Sequence, residues 1–415
     1  MSLSTTIIPR DEHNISRSMI DENCLKVLYR LRRNGFKAYL VGGSVRDLLL
    51  GRQPKDFDVG TDATPEQVRK LFRNCRLVGR RFRLAHIMFG RNNLIEVATF
   101  RRKPRTEELD AADNERFFAE NLFGTPQQDA FRRDFTINAL FYDINNFSII
   151  DHVGGLTDLK NGVIRVIGDP DERFSEDPVR MLRALEFSAR LGFSLHDDIP
   201  AAIERNAASL IGAAPARMRE EIMELFRHKV AGKVLQKAEH LHLAEFIIPG
   251  YAPQRANFDL LRQLDIRTAS GVKVTEPFAL AVLYLPQFCA RCHNDMNIGE
   301  VHKLATSQLS GHCRYFSIAS GIRHQARELF IAFFRLRRGR GRRGEQRFLR
   351  HPAAAEGLEL YRLWCAATGS DKELLESWQL AMNDREAPPS TAPTRKRRPR
   401  RRRRRRQPPQ NVAKE

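Results

Sequence analysis

The chain has 415 residues, of which 42% are hydrophobic and 29% charged, and a formal net charge of +20. That length exceeds one ordinary domain, the apolar content is enough for real cores, and the charge predicts a polyanionic partner, either nucleic acid or an anionic membrane surface. No stretch is long and apolar enough to cross a bilayer, and the start of the chain, with Arg10, Asp11, Glu12 and His13, lacks a signal-peptide apolar region, so a cytoplasmic protein with six reduced cysteines is expected.

In chain order, residues 20–34 read as an amphipathic helix, with Ile20, Cys24, Val27, Leu28 and Leu31 on one face and Gly35 at its end. Ala38 to Val41 reads as a short apolar strand that Gly42-Gly43 breaks. A second helix opens at Ser44 and closes at Gly51. Phe57 to Val59 is a short strand, and Thr64-Pro65-Glu66-Gln67 is a helix start with a cap, a first-turn proline and a capping-box glutamine. Strands follow near Arg83 to Phe89 and Leu94 to Phe100; residues 101–125 are polar and predict a flexible loop. Order resumes over Phe135 to Ile144 and Ser148 to Ile150. From Asp177 the pattern is helical, with Met181 to Leu191 in one helix, Ala216 to Phe226 in another, and no strand expected between residues 175 and 380. A Pro- and Ser-bearing linker, Ala387 to Thr394, leads to Arg395–Arg406, a run of Arg and Lys broken by Pro399 that cannot bury a core and is expected to be disordered when free.

Asp56-Phe57-Asp58 carries the chemistry. Residues two apart on a strand share a face, so both carboxylates aim at one spot while Phe57 turns into the core. Paired hard oxygen ligands suit Mg²⁺, with Mn²⁺ as the other candidate, beside a phosphate. Upstream, Gly42-Gly43 permits close backbone approach to a phosphate, and the helix start after it presents free N–H groups. A third carboxylate is expected from Glu96, which alternates with Ile95 and Val97, or from Asp134. The blander readings are a solvent-facing strand residue for Glu96, and a cap or a pair with Arg132 or Arg133 for Asp134. Asp177 precedes Pro178, a helix-capping position, and Arg180 lies one turn on. An Asp acceptor beside an Arg donor can read a base edge. Cys289-Ala-Arg-Cys292-His293, with His312-Cys313 beyond, leaves open a zinc site against chance occurrence in a helix.

Gly42-Gly43-x-Val45-Arg46-Asp47, Leu49-Leu50-Gly51, Pro54 and Asp56-Phe57-Asp58 together resemble the class II nucleotidyltransferases, which include tRNA CCA-adding enzymes and bacterial poly(A) polymerases within the polymerase-β-like superfamily. Arg133-Asp134-Phe135-Thr136-Ile137-Asn138, Glu176-Asp177-Pro178-Val179-Arg180, and Ala216-Arg217 with Glu220 and Glu221 match later motifs, so the resemblance covers roughly residues 7–225. Gly79-Arg80-Arg81-Phe82-Arg83-Leu84-Ala85-His86 is similar to the poly(A) polymerase branch, as are Ile8-Pro9-Arg10 and the arginine run. Ser44 stands where a third glycine is common, and Gly60 where a larger residue often sits.

The resemblance implies an α+β chain: a nucleotidyltransferase head over residues 1–155, a helical neck over 156–228, a helical body over 229–386 and a basic tail over 387–415. It implies a template-independent polynucleotide adenylyltransferase that adds AMP from ATP to RNA 3′ ends, tied to mRNA processing and RNA decay. Asp56, Asp58 and Asp134 would be catalytic, with Asp56, Asp58 and Glu96 on the metal. Gly42, Gly43, Arg46, Arg80, Arg81, Asp177 and Arg180 would bind nucleotide, supported by Glu176, and the arginine run would hold RNA. The rival readings are a CCA-adding enzyme, which shares the catalytic residues, and a non-catalytic basic RNA-binding protein.

Overall fold

The computed structural model describes residues 4–79, 83–90, 93–104 and 122–386. Arg80 and Arg81, most of the expected loop, and the linker with its arginine run lie outside the described residues.

Among the described residues the strands are β1 (Thr6–Ile8), β2 (Ala38–Val41), β3 (Asp58–Thr61), β4 (Cys75–Val78), β5 (Leu84–Phe89), β6 (Asn93–Thr99), β7 (Leu140–Asp143), β8 (Ser148–Asp151), β9 (Val163–Ile164) and β10 (Ser194–Leu195). The first eight form one sheet in the order β1-β8-β7-β2-β3-β6-β5-β4, antiparallel throughout except where β3 runs parallel to β6. All four residues of β2 and of β7 are buried. Leu40, Leu140 and Tyr142 join the large core, while Tyr39, Val41 and Phe141 join a smaller one with Phe100 on the other face. Covering on both faces explains why these strands read as unbroken apolar runs.

The head carries α1 (Glu22–Arg33), α2 (Gly43–Leu49), α3 (Pro65–Leu71), α4 (Pro126–Arg132) and α5 (Gly155–Asn161). Asp21 caps α1, which buries Cys24, Val27, Leu28 and Leu31. Thr64 and Gln67 form the capping box of α3. The ends of the 101–125 segment are tied together, Arg102 N–H donating to Leu122 O and Gly124 N–H to Phe100 O.

Helices α6 (Pro170–Glu176), α7 (Val179–Leu191), α8 (Asp198–Asn206), α9 (Pro215–Arg227), α10 (Ala231–His240), α11 (Ala244–Ile247), α12 (Arg255–Ala269), α13 (Glu276–Arg291), α14 (Ile298–Tyr315), α15 (Ser320–Arg337), α16 (Glu345–Leu349), α17 (Ala353–Thr368) and α18 (Lys372–Glu386) follow. One hydrophobic cluster runs from Ile15 in the head to Trp378 in α18. The expectation of no strand beyond residue 175 is corrected at one point: β10 pairs in parallel with β9. Two residues are too short for an alternation to register. No helix among the described residues is long and apolar enough to cross a membrane.

Candidate active site

Strand register builds the site. Val41 lies opposite Asp58, so the turn that follows Val41 is set beside that carboxylate. Gly42 makes the turn at φ 74 and ψ −139, a conformation that L side chains rarely adopt. A Cβ there would also meet Arg133 Nη1 at 3.1 Å. A cavity of about 480 Å³ opens at this point, bounded by Gly42, Gly43, Lys55, Asp56, Asp58 and Asp134 of the head and by Arg183, Phe187 and Arg190 of α7.

Asp56 and Asp58 both line this cavity, though not as two residues of one strand. Strand β3 begins at Asp58, and Asp56 is exposed in the approach to it. Phe57 is half-buried and packs against the core. Burial above all, with Glu96 and Asp56 adding to it and Arg133 opposing, raises the Asp58 carboxyl to about 6.

The two candidates for a third carboxylate are placed differently. Glu96 sits beside Asp58 on the adjacent parallel strand, with its Oε2 3.3 Å from Nε2 of His86. Asp134 lies in the cavity wall, but its oxygens are 2.7 Å from Arg180 Nε and 3.2 Å from Arg183 Nε. Burial works to raise the Asp134 carboxyl; the two arginines outweigh it and hold it below the ordinary range. These long-range pairs replace the local pair with Arg132 or Arg133 that the sequence suggests, because α7 crosses directly behind Asp134.

Asp177 and Arg180 do not pair with each other. Asp177 accepts two hydrogen bonds from Arg217 of α9, at 2.9 and 2.7 Å. Arg180 donates to Asp134, to Glu176 at 3.1 Å and to the Arg173 carbonyl at 2.7 Å. Asp177 is no side-chain cap either: α7 starts after Pro178 with no side-chain cap, and the nearby carboxylate is turned to Arg217. Arg46 is buried in the cavity wall. It donates to Asp47 at 2.8 Å and to Asn138 at 2.5 Å, and its guanidinium lies 5.3 Å from the Phe187 ring. It thereby fastens the glycine turn to both the head and α7.

Arg133, Arg183, Arg190, Glu224 and His228 also line or charge the cavity, and the sequence reading missed them. Arg183 could have been found one turn beyond Arg180; Glu224 and His228 arrive only through tertiary packing of α9. Among the described residues, no three His, Cys, Asp or Glu side chains stand together as a self-sufficient metal site, at Cys289 and Cys292 or elsewhere. Burial raises both of those thiols.

A mixed sheet delivers a glycine turn beside two crowded carboxylates under an arginine-bearing helix, an arrangement suited to nucleotidyl transfer. Models of the "Poly A polymerase head domain", the "Probable RNA and SrmB- binding site of polymerase A" and the "Polymerase A arginine-rich C-terminus" match residues 38–165, 192–255 and 297–410. Poly(A) polymerase I of Salmonella typhi is 41% identical over 379 residues, 86% of this chain and 81% of that one. A CCA-adding enzyme of Lactobacillus helveticus is 40% identical over 201 residues, 48% of this chain and 49% of that one. The crystal structure of the Bacillus stearothermophilus CCA-adding enzyme with CTP has a TM-score of 0.65 at 26% identity, covering 90% of this chain and 83% of that one. The chain belongs to the poly(A) polymerase family of nucleotidyltransferases.

Proposed function

We propose that this chain adds AMP from ATP to RNA 3′ ends. The observation that carries this reading is the similarity to Poly(A) polymerase I over 86% of the chain, where the CCA-adding relative matches only 48%. In the reaction, the RNA 3′-hydroxyl oxygen bonds to the α-phosphorus, the bond to the bridging oxygen breaks, and pyrophosphate leaves with its electron pair; the hydroxyl proton passes to solvent or a nearby base.

Crowded, partly buried carboxylates fit a divalent cation, which relieves their repulsion, and Mg²⁺ ordinarily takes one or two carboxylates together with substrate phosphates. Asp56 and Asp58 would hold it, with Glu96 as the third carboxylate. Such an ion supplies charge for the triphosphate and for the attacking oxygen. The glycine turn admits the phosphates, and Arg46 keeps that turn in place. Asp134 orients Arg180 and Arg183, a positioning role that suits its arginine partners better than metal binding does. Asp177 and Arg180 read the base edge once released from Arg217 and Glu176. A cytoplasmic role in mRNA processing and decay accords with this activity.

The test is incubation of the protein with an RNA primer and each nucleoside triphosphate in turn. Long products from ATP alone are expected. A short C-C-A extension requiring CTP would replace this reading with the CCA-adding one. No incorporation with any divalent cation would leave the non-catalytic RNA-binding reading.

A further inference from the structure

Helices α7 and α9 lie side by side and are joined by three rungs. Asp177, just before α7, pairs with Arg217; Arg183 lies 3.6 Å from Glu221; and Glu186 Oε1 lies 2.8 Å from Nδ1 of His228, the residue that ends α9. On α7, Arg180, Arg183, Phe187 and Arg190 follow one another at three, four and three positions and so form one stripe. Arg217, Glu221, Glu224 and His228 form the answering stripe of α9. From Arg180 to Arg190 the stripe runs about 15 Å along the helix. One end of it, at Asp177 and Arg180, is the end read above as meeting the base. The other carries Arg190 and His228.

That second end is tied to the glycine turn. The guanidiniums of Arg46, Arg183 and Arg190 gather around the Phe187 ring, 5.3, 5.7 and 5.0 Å from its centre. Arg46 in turn stands against Gly43, where a Cβ would meet its Nη2 at 3.4 Å. The cavity thus continues from the turn, past Phe187, to Arg190, His228 and Lys55. Its last rung is incomplete. Glu186 Oε1 is buried 2.9 Å from Arg190 Nε and 2.8 Å from His228 Nδ1, yet neither contact is aligned as a hydrogen bond. Arg183 Nε is in the same condition beside Asp134. Nε2 of His228 has long contacts, to Glu224 Oε2 at 3.4 Å and Arg190 Nη1 at 3.5 Å. Glu224 is engaged elsewhere as well: burial works to raise its carboxyl, but Arg227, His228 and Lys55 outweigh it and hold it below the ordinary range. Buried donors that stand near an acceptor but out of line with it cost free energy until a ligand draws them into line.

We infer that His228 and Arg190 hold the outer phosphates of the nucleoside triphosphate, and pyrophosphate as it leaves, with Glu186 positioning both. Phosphate oxygens accept charge-assisted hydrogen bonds, and the planar guanidinium of Arg190 can give two of them at once. Glu186 does not line the cavity, whereas Arg190 and His228 do. Its carboxylate therefore turns Nδ1 of the imidazole away from the ligand and leaves Nε2 facing it, the way a carboxylate behind a histidine fixes which nitrogen works. The inference takes a nucleoside triphosphate as substrate from the reading above, but it is tested by binding alone. A chain that proved to add C-C-A would leave it intact, and failure to add AMP would show in the incorporation assay instead.

The experiment is isothermal titration calorimetry on the full-length chain with Mg²⁺ and no RNA. The ligands are inorganic pyrophosphate, AMP, and an ATP analogue with a methylene bridge between the α and β phosphorus atoms, which cannot give up AMP. His228→Ala should weaken the analogue and pyrophosphate at least about tenfold, the scale of one charge-assisted hydrogen bond, and AMP by less than about twofold. Arg190→Gln should give the same pattern. His228→Gln, which keeps an N–H donor, should recover part of the loss. His228 is partly exposed at the end of its helix, so the variants should melt close to the parent. A histidine that merely latched α9 to α7 would lower AMP and the analogue equally, and that result would overturn the inference. So would unchanged pyrophosphate binding in the folded variants, or a parent chain that binds no pyrophosphate.

Discussion

Burial is the main cause of the weakened acidity of Asp58, and the neighbouring carboxylates Glu96 and Asp56 add to it. Asp58→Asn keeps the shape and one acceptor oxygen but removes the charge that a cation needs. Nucleotide addition should fall by at least about 100-fold while the circular dichroism spectrum is retained. Near-normal tailing by the folded variant would take Asp58 out of the mechanism. Base choice tests a different pair. Asp177→Ala or Arg180→Ala should reduce discrimination between ATP and the other triphosphates by about 1–3 kcal/mol, the range for a good base-edge contact. Competition assays with mixed triphosphates report this directly; slower addition with unaltered preference would leave Asp177 only its bond to Arg217. Gly60 is explained by its surroundings: a Cβ would meet the Phe100 ring at 2.6 Å and Val41 at 3.0 Å, so a larger residue does not fit against this aromatic cluster.

At the level of elements, α10 depends on a distant residue. Val230 gives it no side-chain cap, and Asp265 of α12 supplies one, accepting from Gly232 N–H at 2.9 Å. Burial raises the Asp265 carboxyl from 3.8 to about 6, although the Gly232, Lys233 and Ala231 amides pull the other way. Between those two values the folded chain keeps a proton that the unfolded chain has released. The group's favourable contribution is therefore full at low pH and is lost as pH rises through about 6. Asp265→Asn has no such loss, so its stability relative to the parent should grow between about pH 4 and about pH 7, by at most about 3 kcal/mol. Denaturant midpoints for both proteins across that range check it; a constant difference would mean that Asp265 is not the titrating group. This cap was hidden from sequence because its two halves are 33 positions apart. Local signals did better. The Thr64 box and the apolar face of α1 rest on local spacing and form as read, although α1 starts at Glu22 behind an Asp21 cap that the reading did not name. The head motifs also meet at one cavity. What sequence missed was pairing across helices: Asp177 with Arg217, Asp134 with Arg183, and the exposed approach that holds Asp56 off its strand. Spacing reports which residues share a face, not which helix will cross it.

For the whole molecule, the densest basic segment is the run from Arg395 to Arg406, which lies outside the described residues. Deleting residues 394–415 should weaken primer binding and lower the salt slope by about one for each phosphate that the tail neutralises, with the chemical step nearly unchanged at saturating primer. Parallel salt titrations with and without the tail decide this, and identical slopes would assign the run to another partner. The edges of the main sheet carry a different consequence. Strand β1 pairs with β8 through Thr6–Asp151, Ile7–Ile150 and Ile8–Ile149, and Thr5 anchors it to His152 at 3.0 Å. Without those few residues, the outward amides and carbonyls of β8 would become a template for a strand from another molecule. Removal of residues 1–8 should thus turn the protein into a concentration-dependent self-associator even with its catalytic side chains untouched. Sedimentation velocity would show this, and a truncated chain that sediments like the full one would mean that β8 is shielded by something other than β1.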